Sequence, residues 1–525
     1  MTHQKRKLDA ERILALVEGV WRLYAKGHEA YWLPPVVLHR NGRPVGRVRA
    51  GDSVIFCCRR GEREIQLTEA FTDPEFVPFP RERIDPLTFV PLVLYHPKFA
   101  GLPIAFPSSP VVDTLGEVVS RAGLSQLRIA EEEKFSHVTY FLDGKKGGDL
   151  PGVKTRSVPS SLDDPLASLP ELTSAFSDEL RRSTYDLIVM NIATGDLLGH
   201  SDRLDVKEKC AGSVDRALSD VLDAASRHGY TSFITADHGL LEEHGLPGGE
   251  VNTSHTLHPV PFIVVTPSGE AVPLVPSGSL ADVAPTVLSA LGLPTPEAMA
   301  GRNLVLDRSF RVGRALLVVL DGWGLPEEGH IDPIARGKTP TWDWLVGLPM
   351  ARLEASGAAV GLLPGTKGNS ESGHLAIGAG RAVPQDELQI QAAIDNGTYA
   401  RTEAFQKAFA DASRSGGAVH LLALLSRSSS HGSIEYALEL VRHASAVGSS
   451  PVFLHVITDG RSSRSDHVPD ELLRLGDLLG GIGAGEVVTL IGRGFALDRG
   501  RDYEGKTRVA YRALVDGTGV RADAD

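Results

Sequence analysis

The chain has 525 residues, 42% hydrophobic and 23% charged, which is the balance of an ordinary globular protein and excludes a disordered, collagen-like or coiled-coil chain. At roughly 150 residues per domain, the length predicts two to four domains. Fifty-four Lys and Arg against 66 Asp and Glu give a net charge of −12, which argues against a broad nucleic-acid-binding surface. Three cysteines (Cys57, Cys58 and Cys210) are too few for a disulfide framework and predict a reducing, cytoplasmic setting. The opening residues MTHQKRKLDA lead into no apolar segment, so no signal peptide is expected. No 18-residue apolar run predicts a membrane span.

Short apolar runs alternate with amphipathic stretches, predicting an α/β fold with parallel sheets. In chain order the main runs are 185–193 (YDLIVMNIA), 231–236 (TSFITA), 261–266 (PFIVVT), 315–320 (ALLVVL) and 451–456 (PVFLHV). Helix-like segments such as 205–227 and 280–291 lie between them. In open α/β sheets, chemistry gathers at the carboxyl ends of strands. The first run leads into TGDLLGH, placing Asp196 and His200 four apart, a spacing that lets both grip one cation from a single helical face. The second leads into Asp237-His238-Gly239, and the fourth into Asp321-Gly322-Trp323-Gly324. His255 precedes the third. Singly, each could be a capping acid or a satisfied core histidine; together, mixed carboxylate and imidazole donors beside one sheet predict a two-metal site suited to Mn²⁺ or Zn²⁺.

A nucleophile candidate, Ser370, sits in GNSESGH, where flanking glycines expose the hydroxyl to metal activation. With these motifs in view, the chain resembles the cofactor-independent (2,3-bisphosphoglycerate-independent) phosphoglycerate mutases of the alkaline-phosphatase-like superfamily. The likeness is carried by DGWG at Asp321, GNSESGHLAIGAGR around Ser370, LRIAEEEKFSHVTYF around Lys134, GDLLGH at Asp196, ITADHG at Asp237 and TSHTLHPVPF at His255. The order differs from the family's: its second half comes first here (about 10–305) and its first half second (about 314–520). The sequence therefore reads as a circular permutation joined near 306–314, a change that costs a fold little when the ancestral termini are close. The resemblance implies two α/β domains. One is an alkaline-phosphatase-like metal domain over 109–384; the other is a smaller transferase domain assembled from 1–108 and 385–525.

By resemblance, Asp196, His200 and His255 hold one divalent ion, and Asp237, His238, Asp321 and Ser370 the other. Mn²⁺ is the expected ion, with Zn²⁺ or Mg²⁺ as alternatives. Ser370 accepts a phosphoryl group from phosphoglycerate and returns it to the other hydroxyl, with Lys134 adding fixed positive charge. Arg60, Arg63, Arg461, Arg493 and Arg499 match the family's carboxylate and phosphate clamp, and His431 its proton carrier. The implied partner is a small anionic phosphorylated or phosphonylated three-carbon acid, with no nucleic acid or membrane, handled by a monomer.

Three positions depart from the pattern. Ser462 stands where the family has an Asp, Arg427-Ser428-Ser429-Ser430 replaces DGGV, and Leu240 replaces the Asn after DHG. The first two raise the local charge by three, and Asp466 or His467 is a candidate for the missing carboxylate's role. Three readings stay open: a phosphoglycerate mutase-like isomerase, a transferase moving a phosphonyl or carboxyphosphonyl group onto a glycerate in phosphonate natural-product metabolism, and a metal-dependent phosphatase.

Overall fold

The computed structural model describes residues 3–524 except 60–62, 108–110, 147–148, 162–163, 246–247, 428–430, 449, 462–465 and 499; side chains are described from residue 11 onward, Pro97 excepted. The chain divides into two compact units, residues 1–108 with 389–525, and residues 109–388. Each is built on its own sheet.

In the continuous unit the strand order is Ser277–Ser279, Met350–Glu354, Val260–Val265, Thr231–Thr235, Ala315–Leu320, Leu187–Ile192, Gln126–Glu131 and Val153–Val158. The last five are parallel to one another. Ala315–Leu320 is fully buried and paired on both sides, which is why it reads as an uninterrupted ALLVVL run instead of an alternating one. Val260–Val265 departs from the all-parallel expectation: it runs antiparallel to Thr231–Thr235. That reversal brings the residues before it, His255 among them, to the same sheet edge at which the parallel strands end. The 205–227 and 280–291 periodicities correspond to the helix Leu204–Arg227 and to the turn Leu280–Asp282 leading into the helix Val283–Ala290.

The discontinuous unit carries a second sheet, ordered Val520–Asp523, Val36–Arg40, Glu486–Gly492, Val452–Thr458, Val419–Leu425, Ser53–Phe56 and Thr88–Pro91. The 451–456 run therefore belongs here, apart from the other four. Successive side chains of Val419–Leu425 enter opposite cores: Leu421, Ala423 and Leu425 face the helices Glu403–Ser415 and Ile434–Val447, while Leu422 and Leu424 join Leu67 and Leu514. Both faces are thus covered, the arrangement expected of a doubly wound sheet. Cys57, Cys58 and Cys210 are free and buried. Among the described residues, no helix is long and apolar enough to cross a membrane.

Candidate metal and phosphoryl-transfer centre

Four parallel strands of the continuous unit deliver their following residues to one place. Lys134 follows Gln126–Glu131, Asp196 follows Leu187–Ile192, Asp321 follows Ala315–Leu320, and Asp237 follows Thr231–Thr235. Ser370 opens the helix Ser370–Ala379, whose Asn369 side chain caps it by accepting from the Ser372 amide at 2.9 Å. The motif glycines make room for this convergence. Gly322 adopts φ +74°, and a Cβ there would lie 3.0 Å from the Asp196 backbone. At Gly373 a Cβ would collide with the Asp237 carbonyl.

Lys134 Nζ donates to Asp196 Oδ2 at 2.7 Å, Asp321 Oδ1 at 2.9 Å and Ser370 Oγ at 2.6 Å. Ser370 Oγ in turn lies 3.1 Å from Asp321 Oδ1 and 3.1 Å from His238 Nε2. His255 Nε2 and His200 Nε2 approach Asp196 Oδ1 at 3.3 and 3.5 Å. Their other ring nitrogens face backbone carbonyls, His200 Nδ1 that of Thr253 at 2.8 Å and His255 Nδ1 that of Gly368 at 2.7 Å. Such anchors fix ring orientation and leave the Nε2 lone pairs directed inward. All seven residues expected as ligands are therefore brought together. His238 sits between the two groups, 3.8 Å from Asp196 and 3.5 Å from Asp321.

Two neighbours escaped the sequence reading. His374 Nδ1 lies 3.3 Å from Asp237 Oδ2, and Asn191 Nδ2 donates to Asp321 Oδ2 at 2.8 Å while lying 3.1 Å from His374 Nε2. The signal for His374 was present: it stands four residues after Ser370, on the same helical face. Asn191 had only its place near the end of an apolar strand.

The electrostatics are those of a concentrated acid cluster. Burial opposes charge on Lys134, but Asp321, Asp196 and Asp237 outweigh it and raise the ammonium's pKa. Burial likewise opposes charge on Asp196, yet the imidazoles of His200 and His255 beside it, with Lys134 nearby, hold its carboxyl far below the usual range. Asp237 is depressed against its burial by His238 and His374. His238, despite full burial, is pushed up to about 9 by Asp237 and Asp321. At the edge of the cluster, His137 is depressed to about 4 by burial and by His374.

Among the described residues, Asp196 Oδ1 and Asp237 Oδ2 are buried without a hydrogen-bond partner. Asp196, His238 and His255 form one trio of donor atoms within 4.8 Å of one another, and Asp237, Asp321 and His374 a second. Buried carboxylates with unused lone pairs beside inward imidazoles fit divalent cations.

The discontinuous unit collects the remaining candidates at the carboxyl ends of four neighbouring parallel strands. Arg63 follows Ser53–Phe56, Arg427 and His431 follow Val419–Leu425, Arg461 follows Val452–Thr458, and Arg493 follows Glu486–Gly492. Arg493 is buried, pairs with Asp459 and lies 5.7 Å from the Tyr31 ring centre. Arg63 is also buried and donates to the Leu497 carbonyl at 3.1 Å, on the turn that Arg493 begins. Among the described residues, Arg63 Nε and Arg493 Nε and Nη2 are buried without hydrogen-bond partners, which leaves guanidinium donors able to take an anion. The His431 carbonyl accepts from the Arg59 amide at 2.9 Å, tying it to the segment before Arg63. Arg427, Arg461 and Asp466 are exposed, and His467 is half-buried. Arg60, Ser462, Arg499 and Ser428 to Ser430 lie outside the described residues.

The chain is similar to known proteins over segments of both units. Residues 55–295 match the metalloenzyme superfamily, and residues 1–97 with 390–525 match the BPG-independent phosphoglycerate mutase N-terminus. Proteins named 2,3-bisphosphoglycerate-independent phosphoglycerate mutase are similar to it. That of Listeria welshimeri is 37% identical over 57% of this chain and 59% of its own. That of Synechococcus elongatus is 38% identical over 56% and 57%, and that of Acaryochloris marina 40% identical over 51% and 52%. A solved structure of Leishmania mexicana phosphoglycerate mutase at low cobalt concentration covers 50% of this chain and 52% of that one, at 26% identity and a TM-score of 0.42. The two sheets define an α/β protein of two units, and the acid cluster of the continuous unit lies in a chain similar over residues 55–295 to the metalloenzyme superfamily. The matches and the named relatives make the chain similar to the BPG-independent phosphoglycerate mutases along segments of both units. The matched segments span little more than half the length of these relatives.

Proposed function

We propose that the protein is a metal-dependent phosphoryl transferase of the phosphoglycerate mutase type, interconverting 3- and 2-phosphoglycerate through a phosphorylated Ser370. The observation that carries this reading is the Ser370 hydroxyl, held 2.6 Å from Lys134 Nζ and 3.1 Å from His238 Nε2 at the start of a helix. Lys134 stabilises negative charge on Oγ, and the helix N-terminus favours the anionic phosphoryl group. Ser370 Oγ forms the new bond to phosphorus as the substrate's C–O–P bridge breaks, and His431 supplies the proton to the departing oxygen. Arg63 and Arg493, with Arg60, Arg461 and Arg499, hold carboxylate and phosphate so that the glycerate is retained for the return transfer.

Two divalent cations, Mn²⁺ foremost, are assigned to Asp196, His200 and His255 and to Asp237, His238, Asp321 and Ser370. When bound, they lower the hydroxyl's pKa and neutralise the phosphoryl oxygens. The buried, unbonded Asp196 Oδ1 and Asp237 Oδ2 support that assignment, and the three buried free thiols support a reducing cytoplasm. The family's halves are read as circularly permuted, joined at 306–314. Relatives that match along only about half the chain support this.

A second reading is favoured by Arg427 and Ser462: with a base and a neutral residue where the family carries acids, the group moved carries extra negative charge, as a phosphonyl or carboxyphosphonyl group does. The deciding experiment is ³¹P NMR of the protein with Mn²⁺ and 3-phosphoglycerate. Appearance of 2-phosphoglycerate supports the mutase, inorganic phosphate identifies a phosphatase, and an unchanged spectrum turns attention to the phosphonyl substrates.

A further inference from the structure

A second, separate group of metal-binding side chains lies in the continuous unit. Glu243 Oε2 stands 3.3 Å from His258 Nε2 and 3.6 Å from His330 Nε2, and the three donor atoms all lie within 4.8 Å of one another. Tetrahedral zinc with bonds of about 2.1 Å places its ligands about 3.4 Å apart. The two measured separations bracket that edge.

The support around these donors is also that of a metal site. His258 Nδ1 lies 3.0 Å from Glu242 Oε1, so a carboxylate fixes the tautomer and leaves Nε2 free to face Glu243. Glu242 is fully buried and accepts from the amides of Leu240 at 2.7 Å and Gly324 at 2.9 Å, and from the Thr256 hydroxyl. Glycine at 324 is required for this, because a Cβ there would strike the Glu242 carboxylate. His330 is held beside Glu243 by backbone pairing, with the His244 amide bonded to the Ile331 carbonyl and the Ile331 amide to the Gly245 carbonyl, both at 2.9 Å. Lys207, the nearby cation, spends its ammonium on the carbonyls of Glu243 and Asn252.

We propose that Glu243, His258 and His330 bind a third divalent ion of the zinc class, structural in role. Its donors come from two loops: the one between Thr231–Thr235 and Val260–Val265, which supplies Glu243 and His258 and also carries Asp237, His238 and His255, and the one after Ala315–Leu320, which supplies His330 and also carries Asp321. An ion here pins the two loops together, and the first loop to itself, beside the candidate transfer centre. Two imidazoles and one carboxylate leave a fourth coordination position open to water.

The test is zinc stoichiometry of the full-length protein, stripped with chelator, reloaded with Zn²⁺ and desalted before elemental analysis. The wild type is expected to retain one equivalent more than either His330→Ala or Glu243→Gln. Reloading with Co²⁺ is expected to show the intense visible absorption of a four-coordinate ion, lost in both variants. Equal zinc content in wild type and both variants, or a wild type that retains none, overturns the proposal. Because the readout is a difference, it is independent of the two-ion centre: an Asp321→Asn protein is expected still to lose one equivalent on adding His330→Ala.

Discussion

The Ser370 hydroxyl lies 2.6 Å from the Lys134 ammonium, and the same ammonium contacts Asp196 and Asp321. One buried cation thus links the proposed nucleophile to a proposed ligand of each ion. Replacing Lys134 by Met removes a preorganised positive charge from the place where negative charge develops. Losses of that kind cost about 3–4 kcal/mol, or roughly 10²–10³ in turnover. Phosphoryl-transfer rates at saturating Mn²⁺ check this, with circular dichroism confirming an intact fold. A rate within about threefold of wild type would remove Lys134 from the chemistry.

Metal removal tests the acid cluster directly. Asp196, Asp237 and Asp321 are buried, each within 3.8 Å of His238 Nε2, and like charges gathered around one point repel strongly without cations. Chelation is expected to abolish transfer and lower the melting temperature, with both restored by Mn²⁺. A ligand present at a hundredfold its Kd stabilises by about 2.7 kcal/mol per site. Asp237→Asn is expected to keep the fold but lose Mn²⁺-dependent stabilisation, as read by thermal denaturation with and without the ion.

Much of this centre was legible in sequence because its residues follow apolar runs that could be recognised as buried strands. Asp196, Asp237 and Asp321 each stand just beyond such a run. What was not legible depended on direction and depth. The antiparallel course of Val260–Val265, which brings His255 to the right edge, leaves no trace in the PFIVVT run, since a buried strand reads the same either way. His374 lay inside a quoted motif, but its contact with Asp237 depends on how the Ser370 helix packs. The His258–Glu242 pairing was invisible for the same reason: it joins two distant side chains of one long loop, with the Gly324 amide of a second loop bonded to the same carboxylate.

In the other unit, Arg493 and Asp459 form a fully buried ion pair. Arg493→Met leaves the Asp459 carboxylate buried without this partner, and breaking such pairs costs about 3–5 kcal/mol. Arg493→Lys keeps the charge but loses the planar fork that fits carboxylate and phosphate. Urea denaturation is expected to show a large loss for the Met variant. Steady-state kinetics are expected to show a raised KM for the Lys variant. A Lys variant with wild-type KM would mean that Arg493 only supports the fold.

The same unit contains a buried chain, Asp52–His420–His455, with contacts of 3.1 and 2.9 Å. Burial, and then the charge of His420, depress the pKa of His455 well below its ordinary value. The unfolded chain therefore binds a proton near pH 6.5 that the folded one refuses. Stability from this group is complete above that pH and declines as pH falls below it. Thermal denaturation between pH 7.5 and 5 is expected to show a smaller decline for His455→Leu than for wild type.

Re-permuting the chain tests the reading of residue order. The segment proposed as the join makes few demands on the fold: Leu306 is exposed, and Asp307 closes a local turn through Ser309 and Phe310. The strand Ala315–Leu320 begins just after it. A chain starting at residue 314, passing through 525 into a linker and then 1–306, restores the family's order. Arg22, near the end of the helix His3–Tyr24, donates to the Arg521 carbonyl at 2.6 Å. The helix runs from His3 to Tyr24, so its start lies about 29 Å back from that contact. At about 3.3 Å per residue, a linker of about 12 residues bridges the distance. This protein is expected to match the wild type in secondary structure by circular dichroism and in Mn²⁺-dependent transfer by ³¹P NMR. Failure to fold with linkers of both about 12 and about 20 residues would count against a permuted origin, because linker length would no longer explain the loss.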